Sequence, residues 1–128
     1  MERKMTATAA ILGLLAIILG AFGAHALKKV LEPEQLVAFE TGVKYQMYHA
    51  LFLLLVGWNG LVSEKAKKTI YGLTVVGVVF FSGSIYLLST KNLSGIDFKS
   101  IGIITPIGGL LLIVAWFWLF IDLIRKKS

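Results

Sequence analysis

Four long stretches without a charged residue constrain the fold of this chain more than any other feature. Counted from one charged residue to the next, they cover residues 5–27, 45–63, 69–90 and 100–121, and each contains 19 to 23 residues. An α-helix needs about 20 apolar residues to cross the hydrocarbon core of a bilayer. The four stretches use most of the 128 residues, so the chain is predicted to be a single all-α integral membrane domain.

The expected architecture is four transmembrane helices and one short helix at the membrane interface. The spans are predicted over about residues 5–27, 45–63, 69–90 and 105–123, and the interfacial helix over about residues 33–43. Pro33 suits the first position of that short helix, and Glu34 would lie at the positive end of its dipole. Gly42 is expected to mark the bend into the second span. Thr105 and Pro106 are expected to cap and start the fourth span.

The basic residues indicate contact with lipid rather than with nucleic acid. The net charge is +6, but the lysines and arginines stand in short groups at the ends of the spans instead of along one face. No RNA- or DNA-binding motif accompanies them. Lipid headgroups are therefore the expected partners. The chain has no cysteine, which excludes disulfides, thiol chemistry and thiolate metal sites.

The distribution of the same residues predicts the orientation in the membrane. With four spans, the N-terminus, the loop over residues 64–68 and the C-terminus share one side and carry eight of the 13 lysines and arginines. Because cytoplasmic segments are enriched in these residues, both termini are predicted to be cytoplasmic. The first span ends in Ala24-His25-Ala26, a pattern found at signal-peptide cleavage sites. Its apolar region exceeds the roughly 7–15 residues of a signal peptide, so we expect it to be retained.

The first span carries a seam of small residues along one face. Its members recur at steps of three and four: Ala9, Gly13, Ala16, Gly20 and Gly23. In lipid, the hydrophobic effect does not drive helices together, and small residues allow the close backbone approach that does. The first span is therefore predicted to be packed against other helices along this seam.

The two histidines define a candidate polar cluster at the outer ends of the first two spans. His25 closes the first span and His49 lies about one turn inside the second, so the predicted topology gives them similar depth. With their neighbours they form the candidate cluster His25, Glu40, Tyr45, Gln46 and His49. Imidazoles titrate near neutral pH and bind zinc or copper, so a metal site or a pH-sensitive pair is one interpretation. We favour the other, helix capping by His25 and interhelical hydrogen bonding by His49, because a third clear ligand is missing.

The residues inside the spans point away from catalysis and from proton-coupled transport. The uncharged stretches hold no aspartate, glutamate, lysine or arginine, and proton-coupled transporters use such groups within the membrane. The chain also has no recognisable nucleophile–base pair, phosphate-binding loop or pair of carboxylates. We therefore expect no enzymatic activity, no catalytic or metal-binding residues and no cofactor.

Four short motifs follow one another along the chain. They are GAFGAHAL at residues 20–27, FETGVKYQMYHAL at 39–51, FSGSIYL at 81–87 and TPIGGLL at 105–111. With them the chain resembles, over essentially its whole length, the family numbered 423 among domains of unknown function. This family is also called uncharacterised protein family 0382 and is related to the transmembrane protein 256 group. The resemblance implies a four-helix protein of the bacterial cytoplasmic membrane without an agreed activity.

The family motifs also single out particular positions. Carried over residue by residue, they are Gly20, Gly23, His25, Glu40, Tyr45, His49, Gly83, Thr105, Pro106 and Gly108. Gly109 extends the motif at the start of the fourth span. These positions cluster toward the predicted outer ends of the spans, which favours a shared site on that side.

Two functions remain open at this point. The first is a non-enzymatic structural or membrane-homeostasis protein that acts as a homo-oligomer and interacts with membrane lipids. The seam on the first span motivates it, because a four-span monomer does not obviously require so many small residues on one face. The alternative is a small channel or carrier with an outer-side polar vestibule around His25, His49 and Glu40. Composition does not separate the two, since small residues can line either a lipid-facing groove or a solute path.

Overall fold

The computed structural model describes residues 1–90 and 102–125, and every regular element in them is helical. The elements are α1 (Glu2–His25), a 3-10 turn (Leu27–Lys29), α2 (Pro33–Trp58), α3 (Glu64–Val78), a π-helical turn (Val79–Gly83), α4 (Ser84–Ser89) and α5 (Ile104–Ile124). The helix α3, the π-helical turn and α4 follow one another without a break. We call them together the third rod, which runs over Glu64–Ser89.

Helices α1 and α2 pack side by side in opposite directions. Toward one end of the pair, Gly57 of α2 faces Met5 of α1, and toward the other end Gly23 of α1 faces Phe39 of α2. The predicted seam of small residues lies in this contact. Ala9 and Ala16 are buried, and the glycines of the seam face side chains of α2. The seam thus brings two helices of the same chain together.

The third rod and α5 continue the alternation of direction. Near the start of the third rod, Lys67 Nζ donates a hydrogen bond to the Gly57 carbonyl at 3.1 Å. Near its other end, Ser82 Oγ donates to the Gly42 carbonyl at 2.7 Å. These contacts make the third rod antiparallel to α2. Helix α5 in turn runs antiparallel to the third rod, with Thr105 beside α4 and its last turns beside the start of α3.

Three helical segments of the described residues are long and apolar enough to cross a membrane. They are Glu2–Lys29, Glu64–Ser89 and Ile104–Ile124. They coincide with the first, third and fourth predicted spans, so the prediction of an all-helical membrane protein is confirmed. Helix α2, which contains the second predicted span, is not among the three, because charged and polar residues occupy its first half.

The separate helix predicted over residues 33–43 is not observed, and that prediction was wrong. Pro33 does begin a helix, with Glu32 and Gln35 forming a capping box at its start, but the helix continues to Trp58. Gly42 makes no bend. A Cβ atom there would lie 2.7 Å from the ring of Tyr86, so the absence of a side chain serves close packing of α4 on α2.

The start of the last helix also differs from the prediction. Helix α5 begins at Ile104, one residue before Thr105, and Ile103 occupies the N-cap position. Thr105 is therefore not the cap. Its hydroxyl instead forms a hydrogen bond with the hydroxyl of Ser84 in α4. Pro106 lies in the first turn, where a missing N–H leaves no helical hydrogen bond unmade.

Helix α5 crosses the third rod where two glycines meet. A Cβ atom on Gly108 would lie 2.8 Å from the carbonyl carbon of Phe80 and 2.9 Å from the carbonyl oxygen of Gly77. These are backbone atoms of α3 and the π-helical turn. A side chain at position 108 could be accommodated only by moving one helix away from the other. The glycine in the TPIGGLL motif therefore sets the distance between α5 and the third rod.

We expect Gly108→Ala to lower the free energy of unfolding by about 1–3 kcal/mol, the usual cost of overpacking a close contact. Gly109→Ala is the matched control. A Cβ atom there would make only ordinary contacts of 3.5 and 3.7 Å with the ring of Phe81. Thermal unfolding in detergent, followed by circular dichroism, should show a lower midpoint for Gly108→Ala alone. Equal midpoints for the two variants would contradict the close backbone contact between α5 and the third rod at Gly108.

Candidate functional site

Gln46 lies at the junction of three helices. Its side chain is only 4% exposed. The amide Nε2 donates to the Leu12 carbonyl of α1 at 2.8 Å, and Oε1 accepts from the Tyr86 hydroxyl of α4 at 2.6 Å. Both ends of the amide are therefore bonded to other helices, and Gln46 ties α1, α2 and α4 together beside the middle of α1.

His49, one turn further along α2, is also buried and bonded through both ring nitrogens. Nδ1 lies 2.7 Å from the Tyr45 carbonyl oxygen, which can only accept, so Nδ1 carries the proton. Nε2 lies 3.1 Å from Nε1 of Trp116 in α5. Because the indole N–H can only donate, Nε2 is the acceptor. The arrangement fits the neutral imidazole with its proton on Nδ1, and it leaves neither nitrogen free to bind a metal.

A cleft of about 330 Å³ opens beside this histidine. It is lined by Tyr45, His49, Phe81, Gly109, Leu112, Ile113 and Trp116. Four of these residues carry rings, contributed by α2, the π-helical turn and α5. His49 and Trp116 lie near the middle of their helices, which places the cleft about halfway along the bundle.

The predicted outer-side cluster is divided by the structure. Tyr45, Gln46 and His49 lie close together on α2, but His25 and Glu40 are exposed and away from His49. Since Gly13 faces Ala50 across the α1–α2 contact, His49 is almost level with Gly13. His25 is twelve residues further along α1, which corresponds to about 18 Å along the helix. The expectation of similar depth was wrong because the continuous α2 carries His49 deep into the bundle.

Metal ligation finds no geometric support in the part of the chain that the structure describes. Among residues 1–90 and 102–125, no three histidine, cysteine, aspartate or glutamate side chains come together as a ligand set. The buried imidazole of His49 is instead a bridge between α2 and α5.

One end of the bundle holds a buried lysine, Lys67, which the sequence predicts to be a loop charge. The Lys67 side chain is 1% exposed, and its Nζ lies 2.8 Å from Oε1 of Glu2 in α1. The same atom donates to the Gly57 carbonyl of α2. Helix α3 begins at Glu64, so Lys67 lies one turn inside it and turns toward α1 and α2. Glu2 thus balances the buried charge of Lys67.

Asp122 provides a second polar contact at the same end. It is 5% exposed, and its carboxylate accepts from the backbone N–H and the hydroxyl of Ser63, at 3.0 and 2.9 Å. Ser63 is the N-cap of α3, and its hydroxyl oxygen accepts from Ala66 N. The sequence contains one signal for this contact. Asp122 directly follows the last uncharged stretch, and Ser63, directly before Glu64, is a residue type that favours helix N-caps.

The comparison with known proteins agrees with the motifs. The family model described as "Protein of unknown function (DUF423)" matches residues 19–109. The UPF0382 membrane protein YwdK of Bacillus subtilis (strain 168) is 39% identical over 118 residues, which cover 91% of this chain and 92% of YwdK. A UPF0382 membrane protein of Haemophilus influenzae is 34% identical over 100% of this chain and 99% of its own. The chain belongs to the DUF423 family.

The DUF423 relatives also bear on location. The UPF0382 inner membrane protein YgdD of Escherichia coli (strain K12) is 33% identical over 98% of this chain and 93% of YgdD. All three relatives are named membrane proteins. The three long apolar helical segments of this chain agree with those names. The family resemblance seen in the motifs is therefore confirmed, and the chain is a membrane protein. No solved structure matches it.

The ion pair at Lys67 predicts that Glu2 and Glu64, the two glutamates near its ammonium group, contribute unequally to stability. Glu2→Gln leaves a buried ammonium without its counter-charge, and breaking such a pair by removing one partner is destabilising. Glu64→Gln is the matched control, because Glu64 Oε1 lies 3.8 Å from the same nitrogen, beyond hydrogen-bond distance. Thermal unfolding should show a clear drop in midpoint for Glu2→Gln and little change for Glu64→Gln. The reverse order would contradict the assignment of Glu2 as the partner of Lys67.

Proposed function

We propose that this DUF423 protein is a non-enzymatic multi-pass membrane protein with a structural or membrane-homeostasis role, acting as a homo-oligomer. The observation that carries the proposal is the use of the buried polar side chains. Gln46, His49, Ser82 and Lys67 each form a hydrogen bond to another helix. Groups that are committed to holding helices together are not available for general acid–base chemistry or for binding a solute, which supports a role without catalysis.

The proposal includes four membrane spans, with α2 as the second. Helix α2 has 26 residues and is about 39 Å long at the α-helical rise, more than the hydrocarbon core of about 30 Å. It lies alongside two segments that are apolar enough to span. Its buried polar groups are bonded to those neighbours, which removes most of their cost in lipid. This arrangement supports a crossing by α2 in spite of its polar first half.

The proposed location is the cytoplasmic membrane, with both termini in the cytoplasm. The excess of lysine and arginine on the side of the termini and of the loop over residues 64–68 supports this orientation. The Escherichia coli relative YgdD is named an inner membrane protein, which supports the choice of membrane. The exposed Arg3, Lys4, Lys65 and Lys68 would then meet anionic headgroups of the cytoplasmic leaflet.

The surface proposed for self-association lies on the third rod. The seam on α1 is already covered by α2 and is not available to a second copy. On the third rod, Gly72, Val76, Val79 and Gly83 follow one another at helical spacing. Within residues 1–90 and 102–125, a Cβ built on either glycine would have no neighbour within 4 Å apart from its own helix backbone. A helix face of this kind allows close backbone approach in lipid. We therefore propose that copies of the chain meet along this face.

The alternative function, a channel or carrier, receives less support. Its vestibule required His25, His49 and Glu40 to lie together, whereas the outward position of His25 and Glu40 separates them from His49. Among the buried polar side chains of the described residues, Gln46, His49 and Ser82 are instead bonded to other helical elements. The non-enzymatic structural role thus needs fewer additional assumptions.

Native mass spectrometry from nanodiscs tests the proposal. We expect a defined oligomer for the wild type and monomers for the double variant Gly72→Leu/Gly83→Leu, because the two leucines prevent close approach. Ala10→Leu is the matched control, since Ala10 is an exposed residue on α1, away from the third rod. It should assemble as the wild type does. Monomeric wild-type protein would contradict the homo-oligomer. A double variant that still forms the oligomer would show that copies of the chain do not meet along this face.

A further inference from the structure

The cleft beside His49 is walled by rings at close spacing. The centroids of Tyr45 and Phe81 are 5.0 Å apart. Tyr45 and His49 are nearly parallel, with centroids 6.4 Å apart and an interplanar angle of 18°. Trp116 meets His49 edge-on at 6.2 Å. Ring faces and edges at these distances attract another flat ring better than they attract a flexible alkyl chain.

The cleft opens on the side of the bundle, so it faces the bilayer if α2 crosses the membrane as proposed. Tyr45, Ile113 and Trp116 are 41%, 66% and 50% exposed, and all three lie away from the ends of their helices. Gly109 contributes no side chain, which leaves the floor of the cleft open. A ligand that enters here must come from the lipid, so it has to be lipid-soluble and uncharged.

The cleft also differs from a second groove, between α1 and the third rod. That groove has a similar volume, about 300 Å³. Gln46, Ser82 and Tyr86 reach it, but most of its lining is aliphatic, with Leu12, Leu15 and Ile18 contributed by α1. The aliphatic part of that surface suits an acyl chain. The cleft at His49 combines aromatic walls with two polar features, the Tyr45 hydroxyl and the hydrogen bond between His49 and Trp116. Pockets with an apolar lining and a few convergent polar groups are typical of small-molecule sites.

We propose that this aromatic cleft is a binding site for a quinone-type molecule: a planar, conjugated, uncharged and lipid-soluble ring with carbonyl oxygens. The ring stacks among Tyr45, Phe81 and Trp116, and a carbonyl oxygen accepts a hydrogen bond from the Tyr45 hydroxyl. Binding leaves the bond between His49 and Trp116 intact, and that bond holds the indole as one wall. The site adds a ligand to the structural role and does not depend on the oligomeric state.

Tryptophan fluorescence in nanodiscs tests the site, with 2-methyl-1,4-naphthoquinone as the probe. The chain has three tryptophans. The variant Trp58→Phe/Trp118→Phe keeps only Trp116, in the wall of the cleft. The variant Trp58→Phe/Trp116→Phe keeps only Trp118, which faces a different groove near Asp122. We expect saturable quenching of Trp116 and only linear, collisional quenching of Trp118. Equal, non-saturating curves would mean that the quinone is merely dissolved in the bilayer and would overturn the proposal.

Two further variants locate the site, each made in the background that keeps only Trp116. Gly109→Leu fills the floor and should abolish the saturable component, whereas Ala10→Leu should leave it unchanged. Tyr45→Leu removes one ring and its hydroxyl and should weaken binding by about threefold to tenfold, the contribution of one aromatic contact. Far-ultraviolet circular dichroism identifies variants that fail to fold. Saturable quenching that survives both Gly109→Leu and Tyr45→Leu would contradict this location.

A chain-only competitor tests the chemical class. Farnesol is lipid-soluble and contains no ring, so an excess of it should leave the saturable quenching of Trp116 unchanged. Displacement of the quinone by farnesol would show that the cleft takes alkyl chains, and the preference for a planar ring would be wrong.

Discussion

The structure depends on how the buried polar side chains of α2 are satisfied. In a bilayer no water is available to bond them, so each unpaired group would cost several kcal/mol. Gln46 is bonded to α1 and α4, and His49 to α5. Helix α2 thus contacts α1, α4 and α5 through specific polar atoms. The same bonds that make its polar residues tolerable in lipid also fix its rotation and its depth relative to its neighbours.

Close backbone approach through glycine complements these bonds. Gly42 lets Tyr86 reach Gln46, and Gly108 lets α5 lie against the backbone of the π-helical turn. That turn belongs to the same junction, because Ser82 within it donates to the Gly42 carbonyl. Hydrogen bonds in the membrane are individually modest, on the order of 1 kcal/mol. Short interhelical distances are therefore needed to combine several of them in one region.

Much of the fold follows from the sequence, because the membrane imposes a simple length requirement. The uncharged stretches predicted the three helical segments that are apolar enough to span, and the spacing of Gly13, Gly20 and Gly23 identified the face of α1 that packs. The motifs identified the family. What failed was the treatment of α2, where Gly42 suggested a bend. A glycine in a helix can serve either a bend or a close contact, and only the position of Tyr86 distinguishes them.

The candidate site was less predictable for a related reason. The sequence brought out His49 and Gln46 as unusual polar residues, but their partners Trp116 and Tyr86 lie 67 and 40 positions away. Nothing in local spacing indicates such pairs. Lys67 was assigned to a loop because charge normally marks the end of a span, whereas α3 starts early enough to bury it. Long-range partners and exact helix starts decide these contacts, and neither is encoded in a hydropathy pattern.

The depth of α2 is the most direct test of this account, because its polar bonds matter only if the helix lies in lipid. The chain has no cysteine, so single cysteines at Glu34, Leu51 and Leu61, all exposed positions, can be spin-labelled without background. Paramagnetic resonance should then show the Leu51 label colliding with oxygen and shielded from a water-soluble nickel complex. The labels at Glu34 and Leu61 should show the opposite. Equal nickel accessibility at all three positions would place α2 at the membrane surface and contradict the account.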